Sequence, residues 1–218
     1  MEDAAISGGF WTLARTAAFL GRRAHARKRA RKGRARDCLP TLLFFTDPAR
    51  TPDPEAVARR LPPGAALVFR AFGAADAEAR GARLLAIARE RGLKLLIGAD
   101  AGLAARLGAH GVHLPERLAH RARRLKAAHP GWLVTAAAHS PRAARRGLLA
   151  GADAVVVSVI FPSRSGSAGS PMGPVRLAML ARRLDGPAYA LGGVDNKTAR
   201  RLRDAGLVGL AAVDAFRT

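Results

Sequence analysis

The chain has 218 residues, 49% of them hydrophobic, which is enough for one sizeable core and one domain. Its single cysteine, Cys38, excludes an internal disulfide framework and fits a reducing, cytoplasmic setting. The formal charge of +21 divides into +8 on residues 1–36 and +13 on the rest, and 32 arginines stand against 5 lysines. Codon usage in a genome rich in G and C produces that skew, so the charge points to non-specific polyanion affinity rather than to a dedicated nucleic-acid partner.

Residues 10–20 (FWTLARTAAFL) form a short amphipathic stretch, and nine of the fifteen residues 22–36 are basic. Such a block repels itself, so residues 1–38 read as a basic N-terminal extension, irregular or partly helical. Two readings of this extension stay open: an arm for polyanions or a membrane surface, and a segment the fold can dispense with. A targeting peptide fits less well, because Glu2 and Asp3 are acidic and no small-residue cleavage site follows an apolar core. No apolar run approaches the ~20 residues of a membrane span.

From residue 39 the pattern alternates regularly. Strand-like runs occupy residues 41–46, 66–71, 94–98, 111–114, 132–138, 154–160, 188–191 and 208–213. Helix-like stretches lie between them at residues 54–60, 75–91, 101–107, 119–129, 141–150, 174–184 and 196–205. Pro141 and Pro174 fall at helix first turns, where a missing N–H costs nothing, and Ser140 suits the N-cap before Pro141. Gly151 and Gly206 suit helix C-terminal stops. Eight strands and seven helices over residues 39–218 predict an α/β fold, a single (β/α)₈ TIM barrel whose eighth helix is missing or replaced, with residues 10–20 as the candidate replacement. In that fold the chemistry sits at the C-terminal ends of the strands.

Three of those ends stand out: TAAAHS (135–140), VSVIFPSRSGSAGSPMG (157–173) and YALGGV (189–194). Together with LLFFTDPAR, LGAHGVHLPE and the continuation VDNKTARRLRDAGLVGLAAV, their order and spacing resemble the TenI and thiamine phosphate synthase family over residues 39–218. The synthases join a pyrimidine pyrophosphate to a thiazole phosphate with magnesium. The resemblance implies a Gln-x-Arg-x-Lys pattern after the second strand, Asn-Asp after the third, an acid after Val-His-Leu and a lysine in the Phe-Pro loop. Here Val68 and Phe72 flank a lone Arg70, Gly98-Ala99 precede a displaced Asp100, Glu116 follows the fourth strand, and Gly166 stands near Arg164. With those groups gone, no metal and no cofactor is expected, magnesium entering only if the synthase alternative holds.

TenI proteins keep the barrel and the thiazole phosphate pocket, and those of known activity are thiazole tautomerases. The resemblance therefore implies an isomerase with His139 of the His139-Ser140 pair as acid/base. An imidazole with a pKa near ~6.5 can both accept and donate a proton around neutrality. Ser163, Ser165, Gly192 and Gly193 are the candidate phosphate-binding residues, the glycines because they permit close backbone approach and because the helix expected from residue 196 would add its N-terminal field. His113, Arg70 and Ser140 are supporting candidates. His110, His120 and His129 read as ordinary structural residues. Asp214 stands where the resemblance calls for serine, and a carboxylate there repels phosphate unless a nearby arginine pairs it. The expected partner is a small phosphorylated heterocycle, and self-association into a homo-oligomer stays open. The rival readings are a thiamine phosphate synthase and a non-catalytic regulatory or RNA-associated protein using the basic arm.

Overall fold

Local chemistry sets the element boundaries. In the computed structural model, which describes residues 12–24, 39–163 and 169–214, aspartate or serine caps open several helices. Asp53 accepts from Ala56 N–H before α2 (Pro54–Arg60), and Asp100 accepts from Leu103 N–H before α4 (Ala101–Leu107). Ser140 accepts from Ala143 N–H before α6 (Pro141–Leu149), satisfying a donor that the first turn leaves orphaned. α3 (Ala77–Arg91) ends on Gly92, whose left-handed φ of 63° turns the chain back toward the sheet. α5 is Ala122–Ala128, entered through a 3₁₀ turn at Glu116–Arg121, and α7 is Pro174–Arg183.

Eight parallel strands close in sequence order: β1 (Leu42–Phe45), β2 (Ala66–Phe69), β3 (Lys94–Gly98), β4 (Gly111–Leu114), β5 (Leu133–Ala138), β6 (Ala154–Val157), β7 (Ala188–Ala190) and β8 (Gly209–Ala212). Each pairs with its neighbours and β8 pairs back onto β1, so the sheet has no edge. Alternation separates two apolar sets. Leu43, Phe45, Val68, Leu96, Val156 and Tyr189 fill the barrel interior, while Leu42, Phe44, Leu67 and Leu210 belong to the larger cluster shared with the helices. Tyr189 is fully buried and donates its hydroxyl to Pro40 O at 2.6 Å, which satisfies the one polar atom it carries into the interior. Burial pushes its pKa up, so it stays a neutral donor.

Residues 12–24 form the helix α1, which overlaps the candidate replacement at residues 10–20 and speaks against the reading of the whole extension as a segment the fold can dispense with. Leu13, Ala17 and Leu20 are buried in the same cluster as the outward side chains of β1 and β8. Its last turn lies at the starts of those two strands, where a Cβ on Gly21 would run into Thr41. Arg23 pairs with Asp204, and Arg203 lies over the Phe19 ring at 4.9 Å. A helix that precedes β1 thus packs on the β8–β1 seam, where a helix following β8 would stand. The basic residues 25–36 and Cys38 lie outside the described residues.

A second correction concerns residues 196–205. They form a turn followed by a 3₁₀ segment, Ala199–Leu202, rather than a full helix. Asp195 caps the start of this segment as Asp53 and Asp100 cap theirs: its Oδ1 accepts from Lys197 N–H, Thr198 N–H and Thr198 Oγ1, each within 2.9 Å. Beyond the cap the backbone bonds three residues back, from Arg201 N–H to Thr198 O, Arg203 N–H to Arg200 O and Ala205 N–H to Leu202 O, which is the 3₁₀ pattern. Among the described residues, no helix is long and apolar enough to cross a membrane.

Candidate active site

The strand C-terminal ends open into one cavity of about 1290 Å³. Three groups of side chains stand at its wall or directly behind it, one for each arc of the barrel.

On the β8–β1–β2 arc, Asp47 accepts from Arg50 at 3.1 Å and from Arg70 at 3.2 Å, and Arg50 also reaches Asp214 at 3.2 Å. Burial would raise the Asp47 pKa, but the hydrogen bonds from Arg50 and the charges of Arg50 and Arg70 outweigh it and hold it below the usual carboxylate range. Arg70 also donates to Thr46 O at 2.7 Å and lies between the rings of Phe45 and Phe72, at 5.8 and 5.1 Å. Its guanidinium is therefore engaged by the fold itself. The pairing of Asp214 with Arg50 removes the repulsion expected of a carboxylate at that position.

On the β4–β5 arc, His139 follows β5 and lines the cavity with its ring 60% exposed. Its backbone N–H and its Nδ1 both meet Glu116 Oε2, at 2.8 and 2.9 Å. Glu116 Oε1 faces Arg146 at 3.5 Å. Burial alone would raise the Glu116 pKa, but the two His139 hydrogen bonds and the charges of His139 and Arg146 lower it. An ionised carboxylate only accepts, so the proton between them sits on Nδ1 and Nε2 is the nitrogen left for a ligand. His113, beside His139, is buried and bonds Thr135 Oγ1 through Nδ1 at 2.9 Å, with its ring edge-on to Phe45. Burial, with Arg70 and His139 nearby, depresses its pKa to about 3, so His113 is neutral at physiological pH.

On the β6–β7 arc, Ser163, Gly192 and Gly193 line the cavity. Gly192 and Gly193 take φ of 93° and 63°, a region glycine enters without cost, and a Cβ on Gly193 would strike the Pro162 carbonyl. Arg201 also lines this arc and sits over the Phe161 ring at 5.3 Å, with no ion pair among the described residues.

The cavity thus brings together His139, Ser163, Gly192, Gly193, His113 and Arg70. Ser140 is not part of its wall, because its hydroxyl is spent capping α6. Ser165, Arg164 and Gly166 lie outside the described residues. The N-terminal field expected from residue 196 is taken up by Asp195, whose carboxylate already accepts from those N–H groups. Two contributors escaped sequence reading: Arg201, hidden in a run of exposed arginines, and the Glu116–His139 contact, which joins residues 23 apart.

The carboxylates nearest the magnesium position do not fit a metal. Asp100 caps α4 and Glu116 is bonded to His139, while Gly98 and Ala99 offer no side-chain oxygen. Magnesium needs several hard oxygen ligands in a near-octahedral set, and among the described residues no group of three candidate ligands lies together.

The profile of the thiamine monophosphate synthase family matches residues 42–216. The chain belongs to this family. Thiamine-phosphate synthase of Halorhodospira halophila is 33% identical over 167 residues, covering 74% of this chain and 79% of that protein. Thiamine-phosphate synthase of Thermus thermophilus is 34% identical over 153 residues, covering 66% of this chain and 71% of that one. Two further relatives, from Aquifex aeolicus and Geobacter sulfurreducens, are 31% identical, and the chain spans 65% and 59% of their lengths. Among solved structures, a thiamine phosphate pyrophosphorylase of Pyrococcus furiosus superposes with a TM-score of 0.68 at 24% identity, over 79% of this chain and 84% of that one, a likeness of fold. The family match and the closed eight-stranded sheet agree on a barrel of this family, and the cavity described above opens at its strand C-terminal ends.

Proposed function

We propose that the protein is a thiazole phosphate isomerase of the TenI type, acting without magnesium. The observation that carries this reading is His139: an imidazole at a strand C-terminal end, open to the cavity and held through Nδ1 by an ionised carboxylate. Such a ring has one free nitrogen with which to take a proton from a bound heterocycle and return it to another ring atom. The transfer leaves the ligand's composition unchanged and needs no co-reactant.

The ligand's phosphate end is assigned to the β6–β7 arc, where the Gly192-Gly193 turn permits close approach and Arg201 supplies positive charge. Arg201 matters because two carboxylates, Asp195 and Asp214, also line that side of the cavity. Asp214 is paired with Arg50 and the Asp195 carboxylate is bonded within its own turn, so a phosphate dianion meets Arg201 as the unpaired cation there. The base on β5 and the phosphate groups beyond β6 and β7 lie on adjacent strands, so one small ring spans them.

Several relatives bear the synthase name, but the engagement of Asp100 and Glu116 argues against magnesium-dependent condensation in this chain. The deciding experiment incubates the purified protein with the non-aromatic thiazole carboxylate phosphate and follows aromatisation by ultraviolet absorbance. Turnover that persists in a chelator and falls by about 10²–10⁴-fold in His139→Asn is expected. Magnesium-dependent formation of thiamine phosphate from the pyrimidine pyrophosphate and thiazole phosphate would replace this reading with the synthase one.

A further inference from the structure

The resemblance to the synthases implies an acid after the fourth strand that serves the magnesium site. In this chain the acid in that neighbourhood, Glu116, is turned instead onto a histidine. We infer that Glu116 is a positioning residue that fixes the orientation and the tautomer of His139, so that Nε2 faces the cavity as the reactive nitrogen. The inference rests on the reading of His139 as the acid/base, but its central claim concerns the state of the imidazole and stands apart from any substrate.

Three features carry it. First, one oxygen, Oε2, receives both the backbone N–H and Nδ1 of His139, at 2.8 and 2.9 Å. Bonding the main chain and the ring of one residue to a single atom restricts the ring to one rotamer, because the pair of contacts does not survive rotation about the Cα–Cβ bond. Second, the carboxylate is anchored from the other side. Arg146 on α6 faces Oε1 at 3.5 Å, and the 3₁₀ turn that carries Glu116 packs on both β5 and α6. Third, the geometry leaves Glu116 little to give elsewhere: with Oε2 on His139 and Oε1 facing Arg146, a cation would have to break both contacts to be ligated.

The charged and titratable groups around the pair are Arg146 on α6, His113 on β4 and the rim residue Arg117, which follows Glu116 and lines the cavity. His113 is buried and bonded to Thr135, so it does not compete for the Glu116 carboxylate. An imidazole that becomes cationic on taking a substrate proton finds its counter-charge already in place, which is the role a carboxylate plays for histidine in hydrolytic triads.

Outer partners that fix an imidazole's tautomer at metal sites are worth about 10–100-fold in activity, and a loss in that range is expected for Glu116→Ala. The loss should lie in kcat rather than KM, since Glu116 acts on the ring that does chemistry. Glu116→Asp, which keeps the charge, should recover part of it. In the double variant Glu116→Ala/His139→Asn, turnover should be no lower than in His139→Asn alone, because a residue acting only through His139 has nothing left to act on.

A readout independent of turnover is the nitrogen spectrum of ¹⁵N-histidine-labelled protein at about pH 8, well above the ordinary histidine range, with His139 assigned by its absence in His139→Asn. Wild type should carry the His139 proton on Nδ1, and Glu116→Ala should shift the ring toward the Nε2–H form. A wild-type ring protonated on Nε2, an unchanged tautomer in Glu116→Ala, or additive losses in the double variant would each overturn the inference. A Nδ1–H ring in a protein that turns over no thiazole would uphold the positioning and sink the isomerase reading.

Discussion

Arg50 and Asp214 meet at 3.2 Å across the β1–β8 side of the cavity, so the one carboxylate that stands where the family places serine is paired. The second arm of Arg50 holds Asp47, which in turn receives Arg70, giving a chain of alternating charges along three neighbouring strand ends. Removing Arg50 would leave Asp214 as an unpaired anion beside the proposed phosphate position. Arg50→Leu is expected to weaken thiazole phosphate binding by about ten-fold, equivalent to about 1.4 kcal/mol. Asp214→Asn in the same background should restore it. Isothermal titration of the two variants checks both signs.

Arg201 should distinguish phosphorylated from unphosphorylated ligands. Arg201→Gln is expected to raise the Kd for thiazole phosphate by about ten-fold or more, the scale of a charge-assisted contact, while the dephosphorylated thiazole alcohol binds as before. Equal effects on the two ligands would assign Arg201 to packing on Phe161.

The N-terminal helix is part of the core. Leu20 is 1% exposed and Leu13 is fully buried, so Leu20→Ala is expected to cost about 2–5 kcal/mol, readable as a lowered Tm. Deletion of residues 1–24 should cost more. A deletion that leaves the Tm unchanged would return the segment to the status of a dispensable arm.

Stability should fall in acid in two steps. Folded His113 takes a proton only near pH 3, whereas in the unfolded chain a histidine does so near ~6.5. Its neutral form therefore contributes fully above about pH 6.5, and that contribution is lost as pH falls, at up to about 1.4 kcal/mol per pH unit. His110, lowered by burial and by Lys94 and Arg89, adds to the same window. The carboxylates of Glu116, Asp47 and Asp195, whose folded pKa values are lowered, contribute above their unfolded values and lose that contribution only below about pH 4. Between about pH 7.5 and 5 the slope of stability against pH should thus be shallower in His113→Gln than in wild type, as measured by urea unfolding.

The barrel was legible because each strand is a short apolar run closed by a polar or glycine-rich loop, and because a cap such as Ser140 lies immediately before its helix. Residues 196–205 misled because both their composition and the cap at Asp195 suit a helix, while the backbone beyond the cap bonds three residues back rather than four. The candidate site was legible where it depends on strand ends, since His139 and Gly192-Gly193 all line the cavity. It was opaque where it depends on distant contacts: no spacing rule links Glu116 to His139, or Arg50 to Asp214, 164 residues away. α1 was legible as the candidate replacement at residues 10–20, but its continuation to residue 24 lay hidden in the basic run, and its Arg23 pairs with Asp204, 181 residues away.

That last separation bears on synthesis. Arg23 and Asp204, which pair beneath the β8–β1 seam, are 181 residues apart, and Val208, which Gly21 approaches, directly precedes β8. During synthesis α1 must keep Leu13, Ala17 and Leu20 waiting, without their β8 neighbours, until that strand has emerged. Docking of α1 and closure of the sheet are then one event, and a ribosome stalled before β8 would hold a chain in which the apolar face of α1 is still open to a chaperone.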